Sequence, residues 1–251
     1  MRISFSSLAT SNNPFEWVYE LDEMGFNGWE IVGEGKQSLT EEMSKKIREV
    51  QETTNLEFTA HLPFSDLNLA SLNQGIWDET IKQMSKAIQS VGGLTDLVVL
   101  HPGHLSPLGV ELPDKAWKQN IVGIQKLCDV AKEYGIMVCV ENMPDIGFLF
   151  GKFPEELIGM VENVKRENVG IALDVGHANL VDKVDAFLKL EAKHVHLHDN
   201  FGKKDDHLPL GRGMIDWKAV MKELKDHKGR FVVEARTLEE GGESLRYLRR
   251  L

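Results

Sequence analysis

The sequence predicts an α/β protein, a (β/α)8 TIM barrel forming a single domain over residues 1–251. Three observations lead there. Eight short β-rich runs alternate with helical patterns along the 251 residues. One βα unit per roughly 31 residues is the length of a βα repeat, and eight such units close into a barrel of about 250 residues. The first β run is followed by "ATSNNP", which lacks the glycine-rich phosphate turn expected there in an open doubly wound sheet.

The β runs are "RISFSSL" (2–8), "GWEIV" (28–32), "LEFTAHL" (56–62), "DLVVLHP" (96–102), "IMVCVEN" (136–142), "VGIALDV" (169–175), "HVHLHD" (194–199) and "RFVVEAR" (230–236). Helical patterns lie between them. "NPFEWVYELDEMG" opens on an Asn-Pro cap signal and stops at Gly25. "SLTEEMSKKIREV" starts with Ser or Thr followed by glutamates, which suit a helix N-terminus. "DKAWKQNIVGIQKLCDVAKEYG" places apolar residues every three to four positions and ends at Gly135, and "DWKAVMKELKDHKG" follows the same grammar. No low-complexity stretch or linker divides the chain.

Hydrophobic residues make up 42% and charged residues 27% of the chain, ordinary values for a globular protein. The formal net charge of −10 disfavours gripping nucleic acid by bulk charge, but not by a local patch or a metal cluster. No run is long and apolar enough to span a membrane, and "MRISFSSLAT" has no apolar signal core, so no membrane partner is expected. Cys128 and Cys139 have no metal or redox spacing, so they are expected to be buried thiols of a cytoplasmic protein.

The chemistry concentrates in "HVHLHDNFGKKDDHLPLGRG", residues 194–213. Barrel active sites lie at the C-terminal ends of the strands. Of nine histidines, eight (His61, His101, His104, His177, His194, His196, His198 and His207) fall at or just past such an end, and His227 does not. Glu141, Asp174 and Glu234 end the fifth, sixth and eighth β runs. By strand alternation these acids point inward, which is costly unless each is paired or metal-bound. Imidazole and carboxylate together suit Zn²⁺, Mn²⁺, Co²⁺ or Fe²⁺. "DVGH" brings Asp174 and His177 close, and "DDH" supplies Asp205 and His207. The dense stretch is therefore expected to be strand seven and its loop, contributing to a site for one to three ions. His104 and His194 are expected to support the ligands from behind or to be structural. His198 either joins the site or hydrogen-bonds a ligand. Glu30 points inward as a substrate contact or a buried ion-pair partner. "GRG" (211–213) is expected to be a tight turn.

The motifs "AHLPFSDLNLAS", "LHPGH", "VENMP", "LDVGHAN", "HVHLHDN", "DDHLPLGRGMIDW" and "VVEAR" together resemble the xylose isomerase-like TIM barrels. That superfamily includes sugar-phosphate isomerases and epimerases and endonuclease IV, and the resemblance spans essentially the whole chain. The epimerase pattern implies one metal on Glu141, Asp174, His196 and Glu234, with Glu141 and Glu234 as the acid/base pair. The endonuclease IV pattern implies three zinc ions on His61, His101, Glu141, Asp174, His177, His196, Asp205, His207 and Glu234. The chain departs from the latter with "ENMPDIGF" after strand five and His198-Asp199 after strand seven. Its loops carry only scattered basic residues such as Lys36, Lys203, Lys204 and Arg212, and "GFNGWE" is closer to the sugar branch. Phe64 is expected to face substrate or core rather than wedge into DNA.

The expectation is thus a Zn²⁺- or Mn²⁺-dependent isomerase or epimerase of a small sugar or sugar phosphate. Glu30, His198, Lys203 and Arg212 are its candidate substrate contacts, and an oligomer is compatible with it. The alternatives are an endonuclease IV-like zinc phosphodiesterase cutting DNA at abasic sites, and a metal-binding barrel without catalysis.

Overall fold

The structure is a computed structural model and describes all residues, Met1–Leu251. The strands are β1 (Arg2–Ser7), β2 (Gly28–Val32), β3 (Glu57–His61), β4 (Leu97–Leu100), β5 (Met137–Glu141), β6 (Val169–Asp174), β7 (Ala192–Leu197) and β8 (Arg230–Ala235). They pair in chain order, and β8 closes onto β1, from Arg2 opposite Arg230 to Ser7 opposite Ala235. All pairs are parallel, so all eight C-terminal ends share one rim. β7 starts and stops two residues earlier than the sequence pattern suggests. Asp199 has already left the ladder there to pair with Leu208.

The helices are α1 (Glu20–Met24), α2 (Glu41–Thr53), α3 (Gln74–Ser90), α4 (Pro107–Glu111), α5 (Pro113–Glu133), α6 (Pro154–Val164), α7 (Val175–Leu180), α8 (Val184–Phe187), α9 (Trp217–Glu223) and α10 (Leu238–Leu248). Of the two candidate caps on α2, Thr40 is the one used: its Oγ1 accepts from Met43 N at 3.1 Å. The stretch from Asn13 to Gly25 is not the continuous helix expected. It forms one 3-10 turn, Pro14–Glu16, and then the short α1. Phe15 and Trp17 pack edge-on against Trp29, at 6.2 and 5.6 Å, and this packing overrides local helical preference.

Alternation along the strands divides the interior in two. Outward-facing residues such as Trp29, Val138, Val140 and Val233 join the helices in a buried core of 54 residues. Inside the barrel, Leu97, Val99, Cys139 and Ala172 form a small apolar cluster. Much of the rest of the lumen is polar: Ser4, Ser6, Glu30, Thr59, His194 and His196 are all buried. A barrel this small normally fills its interior with branched aliphatic side chains. The polar half lies directly beneath the rim where the candidate ligands gather.

Cys128 and Cys139 are unpaired and buried, and burial pushes the Cys128 thiol up to about 12. No helix is long and apolar enough to cross a membrane.

Candidate metal centre

Each of the nine ligand-type residues is placed by a strand end or by the loop just beyond it. His61, Glu141 and Asp174 are the last residues of β3, β5 and β6. His101 follows β4, His177 sits in the first turn of α7, His196 and Glu234 lie near the ends of β7 and β8, and Asp205 and His207 come from the β7–α9 loop.

Glu141 is the hub. Its Oε2 lies 3.1 Å from His61 Nε2 and 3.2 Å from His101 Nε2. Its Oε1 lies 3.1 Å from His196 Nδ1 and 3.5 Å from His177 Nδ1. His196 Nδ1 in turn lies 3.3 Å from Glu234 Oε1 and 3.9 Å from Asp174 Oδ2. A second group joins the first through His177: Asp205 Oδ2 lies 3.2 Å from His177 Nε2 and 3.1 Å from His207 Nε2.

Three features fit a cation. Metal–ligand bonds of about 2.0–2.2 Å in a tetrahedron separate donor atoms by about 3.3–3.6 Å, close to the spacings found here. Two histidines are oriented as ligands commonly are, with one ring nitrogen held by a backbone carbonyl and the other facing the cluster. His61 Nδ1 lies 2.9 Å from the Leu62 oxygen, and His177 Nδ1 lies 2.8 Å from the Asn142 oxygen. Asp174 Oδ2, His198 Nε2 and His207 Nδ1 are sealed from water without an aligned hydrogen-bond partner.

Charge makes the same case. No lysine or arginine pairs with Glu141, Asp174, Asp205 or Glu234, and only imidazoles face them. Burial alone would raise the Glu141 carboxyl, but His196, His101 and His61 outweigh it and hold it well below the usual range. Glu234 is likewise held at about 2, against burial, by His196 and His207. The reciprocal effect overcomes burial at His196 and His177, which stay protonated well above the ordinary imidazole range, and raises His207 to about 10. His101 goes the other way, because its burial outweighs Glu141. Packed carboxylates therefore call for positive charge, which protons on these imidazoles can supply and a divalent ion could supply instead.

Of the four candidate substrate contacts, His198 lies within the cluster, Glu30 beneath it, and Lys203 and Arg212 outside it. Glu30 is 0% exposed below the rim, where its Oε2 accepts from Thr59 Oγ1 at 2.8 Å and lies 2.6 Å from His194 Nε2. It has the imidazole partners that the buried ion-pair role would require, from His194 and His196. His194 is likewise 0% exposed below the rim. His198 is also fully buried, 3.1 Å from Asp174 Oδ1 and stacked on His207 at 3.8 Å. Its ring lies where a Cβ on Gly176 would fall, so Gly176 makes the room for it. Arg212 points away, bound to Glu243 of α10 at 2.6 Å, and Lys203 stays exposed with no polar contact to the cluster. "GRG" is the expected turn, with Gly211 at φ +82°. His104 lies outside the cluster and is half-buried. Phe64 stands beside the site, 4.6 Å from the His101 ring.

Two organising residues escaped the sequence reading. Asn142 clamps the end of β6: its Oδ1 accepts from Asp174 N at 2.7 Å and its Nδ2 donates to the Asp174 oxygen at 2.9 Å. Asp199 is the hub of the β7–α9 loop, accepting from Asn200 N, Gly211 N, Ile215 N and Trp217 Nε1 at 2.9–3.3 Å. Removing its carboxylate leaves four donors without an acceptor. Asp199→Ala is expected to cost about 3–5 kcal/mol of stability and to loosen Asp205 and His207. Urea unfolding measures the first effect and amide exchange over 200–215 the second, and a change under about 1 kcal/mol would contradict the assignment.

The closed parallel barrel, with acids and imidazoles gathered at the C-terminal rim, makes this a (β/α)8 protein whose candidate site lies where barrel sites form. The family model for xylose isomerase-like TIM barrels matches residues 18–251, and the chain belongs to that family. An uncharacterized Methanocaldococcus jannaschii protein, MJ1311, is 31% identical over 239 residues, covering 92% of this chain and 82% of its own. Fructoselysine 3-epimerase of Escherichia coli O157:H7 is 23% identical over 90% of this chain and 86% of its own. A probable endonuclease 4 of Mycoplasmopsis pulmonis is 26% identical over 68% and 65%. Among solved structures, a D-tagatose 3-epimerase-like protein superposes with a TM-score of 0.92 at 30% identity, covering 100% of this chain and 96% of that one.

Proposed function

We propose that the protein is a divalent-metal-dependent isomerase or epimerase of a small sugar. The observation that carries this reading is the pair of carboxylates at His196. Glu141 from β5 and Glu234 from β8 both approach Nδ1, at 3.1 and 3.3 Å, and both are held ionised. Glu141, Asp174, His196 and Glu234 would hold the ion, with Zn²⁺ or Mn²⁺ suited to this mixed donor set. The ion would supply electrophilic polarisation of a sugar carbonyl. Glu141 and Glu234, from separate sectors of the rim, would take a proton from carbon and return it.

The surroundings favour a small, uncharged substrate. A cleft of about 970 Å³ opens between the loops after β3, β4 and β5, and it meets the cluster at His101 alone. Phe64, Leu72, Leu108, Met143 and Leu149 line it, with Asn68 and Ser71 among its polar groups, and it contains no lysine or arginine. Apolar walls with a few polar groups suit the C–H faces of a sugar and offer nothing to a phosphate. The named epimerase relatives point the same way.

One observation favours the phosphodiesterase reading: His61, His101 and Glu141 form one compact donor set, and His177, His198, Asp205 and His207 form another. Against it, the cleft walls give a DNA backbone no cation to bind.

The test is direct. Metal-loaded protein is incubated in D₂O with a panel of ketoses, and separately with a duplex carrying one abasic site. Deuterium is expected on a sugar carbon next to the carbonyl, with the duplex intact. Metal-dependent strand cleavage without sugar exchange would overturn the proposal.

A further inference from the structure

Neither Glu30 nor His194 has a part in the proposed chemistry. Glu30 of β2 and His194 and His196 of β7 are all 0% exposed, and their donor atoms form a compact set in the barrel lumen. A carboxylate in such a place is costly unless fully compensated. Its Oε2 is compensated by Thr59 and His194. Its Oε1 has no aligned partner of its own, and neither has His196 Nε2, yet the two atoms lie 2.8 Å apart. The opposite ring atom, His196 Nδ1, is the one that faces Glu141, Glu234 and Asp174.

We infer that Glu30 is a positioning residue for the metal centre. Anchored by His194 and Thr59, it holds the His196 proton on Nε2 and so presents Nδ1, unprotonated, to the ion. The ring cannot serve both sides at once. A neutral imidazole has one N–H and one lone pair; Nδ1 faces Glu141 at 3.1 Å, and once a cation takes that side, the carboxylate 2.8 Å from Nε2 favours the tautomer whose lone pair points at the rim. Such carboxylate–histidine support also raises ligand basicity, and losing it commonly costs 10–100-fold in metal affinity. The polar half of the lumen then has a use, since it houses an anchor that a barrel packed with aliphatic side chains could not.

The inference rests on the metal reading of the rim but not on which reaction occurs there. Its test is Zn²⁺ affinity, by competition with a chromophoric chelator, for wild type, Glu30→Gln and Glu30→Leu. Affinity is expected to fall about 10–100-fold in Glu30→Leu, with Glu30→Gln between it and wild type because the amide oxygen still accepts from Nε2–H. A second readout uses the wild-type chain alone: ¹⁵N spectra of the zinc-loaded protein should show His196 protonated at Nε2 and bound through Nδ1. This holds even if the Leu variant fails to fold. Zinc bound through Nε2, or a folded Glu30→Leu variant within about twofold of wild-type affinity, would overturn the inference and leave the metal reading standing. Wild type that binds no divalent ion would overturn both.

Discussion

Glu141→Gln is expected to abolish the reaction and to loosen the metal at the same time. The substitution is nearly isosteric, so packing is kept while the charge is lost. Glu141 faces His61, His101, His196 and His177, whereas Glu234 faces only His196 and His207. Removing an acid/base group typically costs about 10²–10⁴-fold in rate, and under the proposed reading Glu141→Gln also removes one ligand. Glu234→Gln should show a comparable rate loss with a smaller change in metal affinity. The measurement is solvent-deuterium exchange into the sugar at several metal concentrations, so that kcat at saturation separates proton transfer from metal occupancy. If Glu141→Gln at saturating metal retained a kcat within about tenfold of wild type, Glu141 would be a ligand only. The acid/base role would then have to pass to another group.

The contrast between the two glutamates also shows what kind of information a sequence carries. Strand-end position and inward alternation were enough to gather His61, Glu141, Asp174, His196 and Glu234 at one rim, because the barrel's parallel register carries every strand to the same end. What lay beyond reach depends on partners distant in the chain. Glu30 pointed inward by alternation, but its depth below the rim is set by barrel shear, and its partner His194 lies 164 residues away. Arg212 stands as a candidate substrate contact in the sequence because nothing local neutralises it. Glu243, which does, sits on a helix 31 residues later. The break between Asn13 and Gly25 follows from an aromatic cluster with Phe5 and Trp29, and a helical periodicity count cannot see it. Asp199 was visible only as one more acid in a histidine-rich stretch. Its four donors come from the loop's folded shape, not from its sequence spacing.

Metal should also reverse the pH dependence of the protein's own stability. Without metal, the carboxylates of the rim are balanced by protonated imidazoles. His207 is raised to about 10 by Asp205 and Glu234 in spite of its burial, against about 6.5 for an unfolded histidine. Its stabilising contribution is therefore complete below pH of about 6.5 and is lost as pH rises toward about 10. Glu234 is lowered to about 2, so its contribution is present above pH of about 4.5 and is lost as pH falls through about 2. Chelated protein should accordingly be most stable between about pH 4.5 and 6.5, with Tm declining above that window. A divalent ion held as proposed would take over the role of those protons and bind only deprotonated ligands, so its stabilisation would grow as pH rises. At a free metal concentration about 1,000 times Kd the gain is about 4.1 kcal/mol. In a domain of this size each kcal/mol moves Tm by about 2–4 °C. Thermal unfolding with EDTA and with Zn²⁺ or Mn²⁺, from about pH 5 to pH 9, should therefore give two curves that diverge with pH and stand about 8–16 °C apart at the alkaline end. Parallel curves would mean that the ion binds somewhere other than among these imidazoles, because only ligands that exchange protons for metal couple the two equilibria.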